Sequence, residues 1–239
     1  TLEMAEEKIA ERIDANLLNI PIQQLTDIPR QMFENKVTKL SEKTQGNLII
    51  KEYPTAAAHS GHFKGLLNEL ALKKSFKPDI IFIDYLNICA SSRYRAGSNV
   101  NSYSYIKAIA EELRGLAVEA NLPIVSATQT TRSGYSNSDV DLTDTSESFG
   151  LPATADLMFA LISTEELEEV NQIMIKQLKN RYNDINMNKR FVIGIDRSKM
   201  KLFDCDQSAQ EGIVDSGQEE EYNNDESKKI KNKFATLKF

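Results

Sequence analysis

Apolar positions along this chain follow helical spacing in some segments and run continuously in others, and the two patterns alternate. Ala5, Ile9, Ile13 and Leu17 recur every fourth residue, which predicts an amphipathic helix over residues 5 to 18. Asp27-Ile28-Pro29 reads as the start of a second helix, with Met32, Phe33, Val37 and Leu40 on one side and an end near Lys43, before Gly46. Residues 47 to 53 predict a strand stopped by Pro54. Ser60 is expected to cap a helix carrying Phe63, Leu66, Leu67, Leu70 and Leu72. Residues 79 to 84 (Asp-Ile-Ile-Phe-Ile-Asp) form a short apolar run that suits the centre of a parallel sheet covered on both faces.

The broadest helical stripe follows: Ile106, Ile109, Ala110, Leu113, Leu116 and Ala117. Pro123 to Thr128 predicts another buried strand, and Leu157 to Ile162 a third. Thr164 to Asn171 has the look of a capped helical turn. Residues 172 to 179, 191 to 196 and 201 to 205 predict further strands, with Asn/Asp-rich turn chemistry between the first two. Alternating strands and helices imply an α/β fold with a mostly parallel sheet flanked by helices. Two long polar loops, Ala90 to Asn101 and Thr130 to Glu147, follow strands and are expected to open on the ligand-binding edge of the sheet.

Composition then divides the chain. Residues 1–206 carry the apolar pattern, whereas 207–239 are dominated by Gln, Ser, Glu, Asn and Gly and predict a disordered acidic tail. The final Lys-Phe-Ala-Thr-Leu-Lys-Phe restores apolar residues among lysines, as expected of a docking peptide. The net charge of -6 is unevenly spread: every charged residue from Asp204 to Glu226 is acidic, and Lys and Arg concentrate elsewhere. The overall sum therefore does not exclude nucleic acid. No apolar run approaches the roughly 20 residues a spanning helix needs. Cys89 and Cys205 show no metal or redox spacing, which suits a reducing compartment. His59 and His62 lack the further ligands of a zinc site.

Candidate chemistry collects at strand ends. Asp84 ends a predicted central strand, where a phosphate-bound Mg²⁺ would take one carboxylate. By itself this hexapeptide also suits a receiver-like or sugar-enzyme sheet. Gln129 ends the next strand, Lys179 and Arg181 occupy a Lys-Asn-Arg turn, and Glu3 lies just before the first helix.

In this order the residues resemble the RecA-like core of DnaB-type replicative DNA helicases, and among them those of T-even-type phages. The resemblance rests on Thr-Leu-Glu-Met at 1–4, Ile-Asp-Tyr-Leu at 83–86 and Lys-Ala-Ile-Ala-Glu-Glu-Leu-Arg at 107–114. It continues in Gly-Leu-Pro-Ala-Thr-Ala-Asp at 150–156, in Ile-Lys-Gln at 175–177 with Lys179 and Arg181, and in the terminal Leu-Lys-Phe. It covers nearly the whole chain.

The resemblance implies a RecA-like fold and an ATP- and Mg²⁺-dependent motor. It implies a homo-hexamer that moves on single-stranded DNA, unwinds duplex at a replication fork and works with primase and a loader in the cytoplasm of the cell or host. Glu3 then looks like the catalytic glutamate beside the attacking water, Asp84 like the Walker B acid on Mg²⁺, and Gln129 like the sensor of the γ-phosphate. Lys179 and Arg181 look like the pair that reaches a neighbouring subunit's ATP, for which an always-charged planar guanidinium is suited. Arg93 and Arg95 in the first polar loop, and Arg132, Ser146, Glu147, Ser148 and Gly150 in or at the end of the second, look like DNA contacts that follow the backbone without reading bases. A recombinase-type or clock-type RecA-like ATPase and a non-catalytic interaction module remain open as alternatives.

One departure stands out. No Gly-x-x-x-x-Gly-Lys-[Ser/Thr] occurs in the chain. The resemblance places that phosphate loop before Thr-Leu-Glu-Met, so the chain is expected to be a piece truncated before Glu3. It is also expected to be inactive toward ATP alone and to fold poorly, with strand edges left unpaired.

Overall fold

The computed structural model describes residues 1–94, 99–130, 140–142 and 150–210. Helices α1 (Glu6–Leu18), α2 (Arg30–Ser41) and α3 (Ser60–Lys74) precede β1 (Ile81–Ile83), α4 (Ser102–Ala120) and β2 (Ile124–Ser126). Then come α5 (Gly150–Thr154), β3 (Leu157–Ile162), α6 (Glu165–Glu169), β4 (Gln172–Asn180), β5 (Arg190–Asp196) and β6 (Lys201–Asp204). Among the described residues no helix is long and apolar enough to cross a membrane.

The α/β expectation holds, with the pairing split between two sheets. β1 and β2 run parallel, Ile81 opposite Ile124 and Ile83 opposite Ser126. The Ser126 hydroxyl reinforces this pair by donating to the Ile83 carbonyl at 2.7 Å. β3, β4, β5 and β6 form an antiparallel meander in chain order. Connection length accounts for the difference: the 19 residues of α4 allow a parallel crossover, whereas the short links among β3 to β6 suit antiparallel return.

The main core lies under α4. Ile106, Ile109, Ala110, Leu113 and Leu116 pack with Phe63 of α3, Ile83 of β1, and Leu86 and Cys89 just beyond it. Each Ile, Leu and Phe among them contributes about 1.5–3 kcal/mol when fully buried. The Asn101 side chain caps the start of α4 by accepting from the Ser104 N–H at 2.8 Å, and Asn121 ends it in the left-handed region at φ 51°. Burial pushes the Cys89 thiol up to about 12, in keeping with a core role. A smaller cluster joins Val140, Ala160, Ile162 and Leu178.

Several expectations need correction. Residues 47 to 53 do not form a strand. They do lie extended beside the first residues: the Thr1 nitrogen donates to the Lys51 carbonyl at 2.9 Å and the Tyr53 N–H to the Thr1 carbonyl at 2.9 Å, the pair of bonds that a parallel bridge makes between Thr1 and Glu52. On the side away from Thr1, the Glu52 N–H donates to the Glu6 carboxylate at 2.7 Å.

The cap of α3 is His59, whose ring accepts from the Gly61 N–H at 3.0 Å, and Ser60 is the first helical residue. Leu72 is 85% exposed rather than part of the α3 core face. α2 forms as expected, but none of its residues is buried. Among the described residues β1 is covered on one face: Ile83 is buried, whereas Phe82 is 67% exposed and faces the same way as its exposed cross-strand partner Val125. A continuous apolar run fixes the strand, but what covers each face depends on elements elsewhere in the chain.

Candidate functional site

The carboxyl ends of β1 and β2 meet the first residues of the chain. The Leu2 N–H donates to the Asp84 carbonyl at 2.9 Å, and the Thr55 hydroxyl donates to the Leu2 carbonyl at 2.7 Å. Leu2 itself is buried in the main core. The Thr1 hydroxyl accepts from the Met4 N–H at 3.1 Å, closing a tight turn around Glu3. Glu3 is thus held, exposed, one residue beyond the anchor on Asp84.

Gln129 joins the same edge. Its side-chain N–H donates to the Tyr85 hydroxyl at 3.0 Å, and the Leu86 N–H donates to the Ala127 carbonyl at 3.2 Å. The Thr128 hydroxyl donates to the Asn87 side-chain oxygen at 2.8 Å. These bonds stitch the two strand ends together, so Glu3, Asp84 and Gln129 sit at one sheet edge, all exposed. With its donor end on Tyr85, the Gln129 amide keeps a carbonyl with acceptor capacity.

Lys179 and Arg181 lie at the far end of β4, against α5. The Lys179 ammonium donates to the carbonyls of Pro152 at 2.5 Å and Ala153 at 3.3 Å. Arg181 donates to the Ala153 carbonyl at 3.2 Å and bonds the Asp156 carboxylate at 2.5 Å. Arg114 of α4 reaches the same carboxylate oxygen at 2.8 Å and the Thr154 carbonyl at 3.0 Å. Three cations therefore converge on the carbonyl end of α5 and one acid, the arrangement a helix C-terminus favours.

Burial opposes the charge on Asp156, but Arg114 and Arg181 outweigh it and hold its carboxyl below the usual range. Partial burial and then the neighbouring Arg181 lower Lys179. The Arg181 side chain stays 42% exposed, so it is tied to its own chain without being enclosed by it.

Of the residues expected to touch DNA, Arg95, Arg132, Ser146, Glu147 and Ser148 lie outside the described residues. Arg93 forms an ion pair with Glu111 of α4. Gly150 is buried at the start of α5, and a Cβ there would fall 2.6 Å from Cγ of Lys107. A glycine thus allows close packing on α4 here.

Two acids escaped the sequence reading. Asp156 carried a detectable signal, an acid directly before the apolar run of β3. Glu112 stood within the word at 107–114, but nothing local pointed to its role, because its partners Ser60 and Ser91 lie 52 and 21 residues away.

Residues 1–197 match the family described as DnaB-like helicase C terminal domain. A DnaB-like replicative helicase of Enterobacteria phage T4 is 47% identical over 212 residues, covering 87% of this chain and 44% of that protein. A probable plasmid replicative DNA helicase of Chlamydia trachomatis is 33% identical over 137 residues, covering 55% of this chain and 28% of that protein. The chain therefore spans less than half the length of these curated relatives.

Among solved structures, one described as an ATPase domain superposes with a TM-score of 0.69 at 18% identity, covering 86% of this chain and 72% of that one. A DnaB-like replicative helicase described with its interactions with primase gives 0.67 at 18% identity, covering 85% and 49%. These two establish the shared fold. On the match of residues 1–197 and the identity to the phage T4 protein, the chain belongs to the DnaB-like helicase C-terminal domain family.

Proposed function

We propose that this chain is the motor part of a hexameric, ATP-driven replicative helicase that moves along single-stranded DNA and opens duplex at a replication fork. The observation that carries the reading is the bond from the Leu2 N–H to the Asp84 carbonyl, which seats Glu3 beside a strand-end acid at the edge that Gln129 also shares. Glu3 orients or deprotonates the water that attacks the γ-phosphate. Gln129 relates the presence of that phosphate to the polar loop that follows it.

Among the described residues no three His, Cys, Asp or Glu side chains form a metal cage. That fits Mg²⁺, which takes one or two carboxylates and keeps water and phosphate oxygens as its other ligands. Asp84 would hold it, and the ion would neutralise phosphate charge. The 239 residues contain no Gly-x-x-x-x-Gly-Lys-[Ser/Thr], so other residues must complete the phosphate cradle.

Lys179 and Arg181 serve the ATP of an adjacent subunit, which makes the ring necessary for turnover. The polar loops after β1 and β2 grip the DNA backbone, with little sequence preference and strong salt dependence. Primase and a loader are the protein partners, and the cytoplasm is the site of action.

The test is DNA-stimulated ATP hydrolysis by the full-length protein. Glu3→Gln should lower kcat at least about a hundredfold while ATP still binds. Asp84→Asn should lower it comparably and raise the Mg²⁺ requirement. Near-normal turnover in either variant would end this reading.

A further inference from the structure

Glu112 sits on α4 beside the buried stripe, and its carboxylate gathers the stem of the loop that follows β1. One oxygen accepts from the Ser91 hydroxyl at 2.6 Å, the Ser92 N–H at 3.1 Å and the Arg93 N–H at 3.4 Å. The other accepts from the Ser92 N–H at 2.9 Å, the Ser92 hydroxyl at 2.8 Å and the Ser60 hydroxyl of α3 at 3.3 Å. Ser91 is buried, and its N–H donates to the Tyr105 hydroxyl at 3.1 Å. One acid thus ties α3, α4 and three consecutive loop residues together.

Burial works against the charge on Glu112, but the bonds from Ser91, Ser92 and Arg93 outweigh it and hold the carboxyl below its ordinary range. The core face of α4 does not include Glu112, and His59 caps α3. Its neighbour Glu111 does something different: it holds the guanidinium of Arg93 in a half-exposed ion pair, which a phosphate can replace at small cost.

We propose that Glu112 is a positioning residue that pre-shapes residues 91–93 so that the Arg93 side chain meets the backbone of single-stranded DNA; this rests on the reading of Arg93 as a DNA contact. The Ser92 N–H is taken by the carboxylate, and the Arg93 N–H is shared between the Ser91 hydroxyl oxygen at 3.1 Å and the carboxylate at 3.4 Å, so they do not serve phosphates. Glu112 acts by removing disorder that DNA binding would otherwise have to remove.

The experiment uses the full-length protein and an oligo(dT) strand. It measures the DNA concentration for half-maximal ATPase stimulation, the maximal stimulated rate, the DNA-free rate and amide hydrogen exchange at residues 91–93. Glu112→Gln, which keeps shape and loses charge, should raise the half-stimulating concentration about tenfold. The maximal and DNA-free rates should stay within about twofold, and the Ser92 and Arg93 amides should exchange faster. Glu111→Gln should leave the half-stimulating concentration unchanged or lower.

An unchanged half-stimulating concentration in Glu112→Gln overturns the inference alone. A parallel fall of both rates with the melting temperature also overturns it, by showing a merely structural role. Absence of DNA stimulation in the wild-type protein overturns the DNA reading and the inference with it.

Discussion

Arg181 bonds the carboxylate of Asp156 at 2.5 Å, and its own N–H donates to the Asp156 carbonyl at 2.9 Å. The proposed trans-acting guanidinium is therefore held by both side chain and backbone of a residue just ahead of β3. A planar fork held this way presents its remaining N–H groups in a fixed direction. In the assembled full-length protein, Arg181→Ala should lower kcat about a thousandfold. Arg181→Lys should restore little of it, because a point charge cannot reproduce the fork. Asp156→Asn should lower kcat by about tenfold, since the guanidinium remains but loses its orientation. Steady-state ATPase on the three variants checks the order.

The start of α3 should respond to mild acid. The His59 ring accepts from the Gly61 N–H at 3.0 Å, and the His62 ring accepts from the His59 N–H at 3.2 Å, so both bonds need an unprotonated Nδ1. Burial and the neighbouring His62 lower the pKa of His59. A lowered folded value means the unfolded chain binds the proton more readily. The stabilisation is then complete above the unfolded value of about 6.5 and lost as pH falls from there toward the folded value. His59→Asn keeps an N-cap acceptor that does not titrate. Melting temperatures measured from about pH 7.5 down to 5.5 should fall less for His59→Asn than for the wild type.

Two carboxylates set a second, lower pH window. Asp156 and Glu112 both have folded pKa values below their ordinary ones, so their contribution is present above the unfolded values of about 3.9 and 4.3. It is lost as pH falls through the lower folded values. A double Asp156→Asn/Glu112→Gln variant should show a flatter acid limb than the wild type in melts between about pH 5 and pH 3.

Gly194 of β5 stands opposite Phe203 of β6, and a Cβ there would fall 2.2 Å from the Phe203 ring. Gly194→Ala should destabilise by about 1–3 kcal/mol, as forced overpacking does. Phe203 is half-exposed and can be removed with little loss, so adding Phe203→Ala should recover part of that change. Denaturant melts of the four-member cycle measure the coupling.

The acidic tail and its Leu237-Lys238-Phe239 tip lie outside the described residues and are proposed to contact the loader. Deleting residues 230 to 239 from the full-length protein should weaken loader-stimulated unwinding and spare DNA-stimulated ATPase. Equal loss of both would refute the contact.

The residue order by itself determined the elements that local pattern controls. The α4 stripe from Ile106 to Leu116 and the β3 run from Leu157 to Ile162 were legible because burial on one face imposes a period on the chain. Glu3 and Asp84 stood out through the motif words at 1–4 and 83–86, Gln129 through its place at a strand end, and Lys179 and Arg181 through the turn after Ile-Lys-Gln at 175–177.

Only the tertiary structure decided where each residue's partners come from. It set residues 47 to 53 beside Thr1, bound Arg181 to Asp156 and gathered the loop stem onto Glu112. The physical reason is range: spacing along a helix or strand acts over a few residues, whereas a hydrogen bond from Leu2 to Asp84 joins chain positions that nothing local relates.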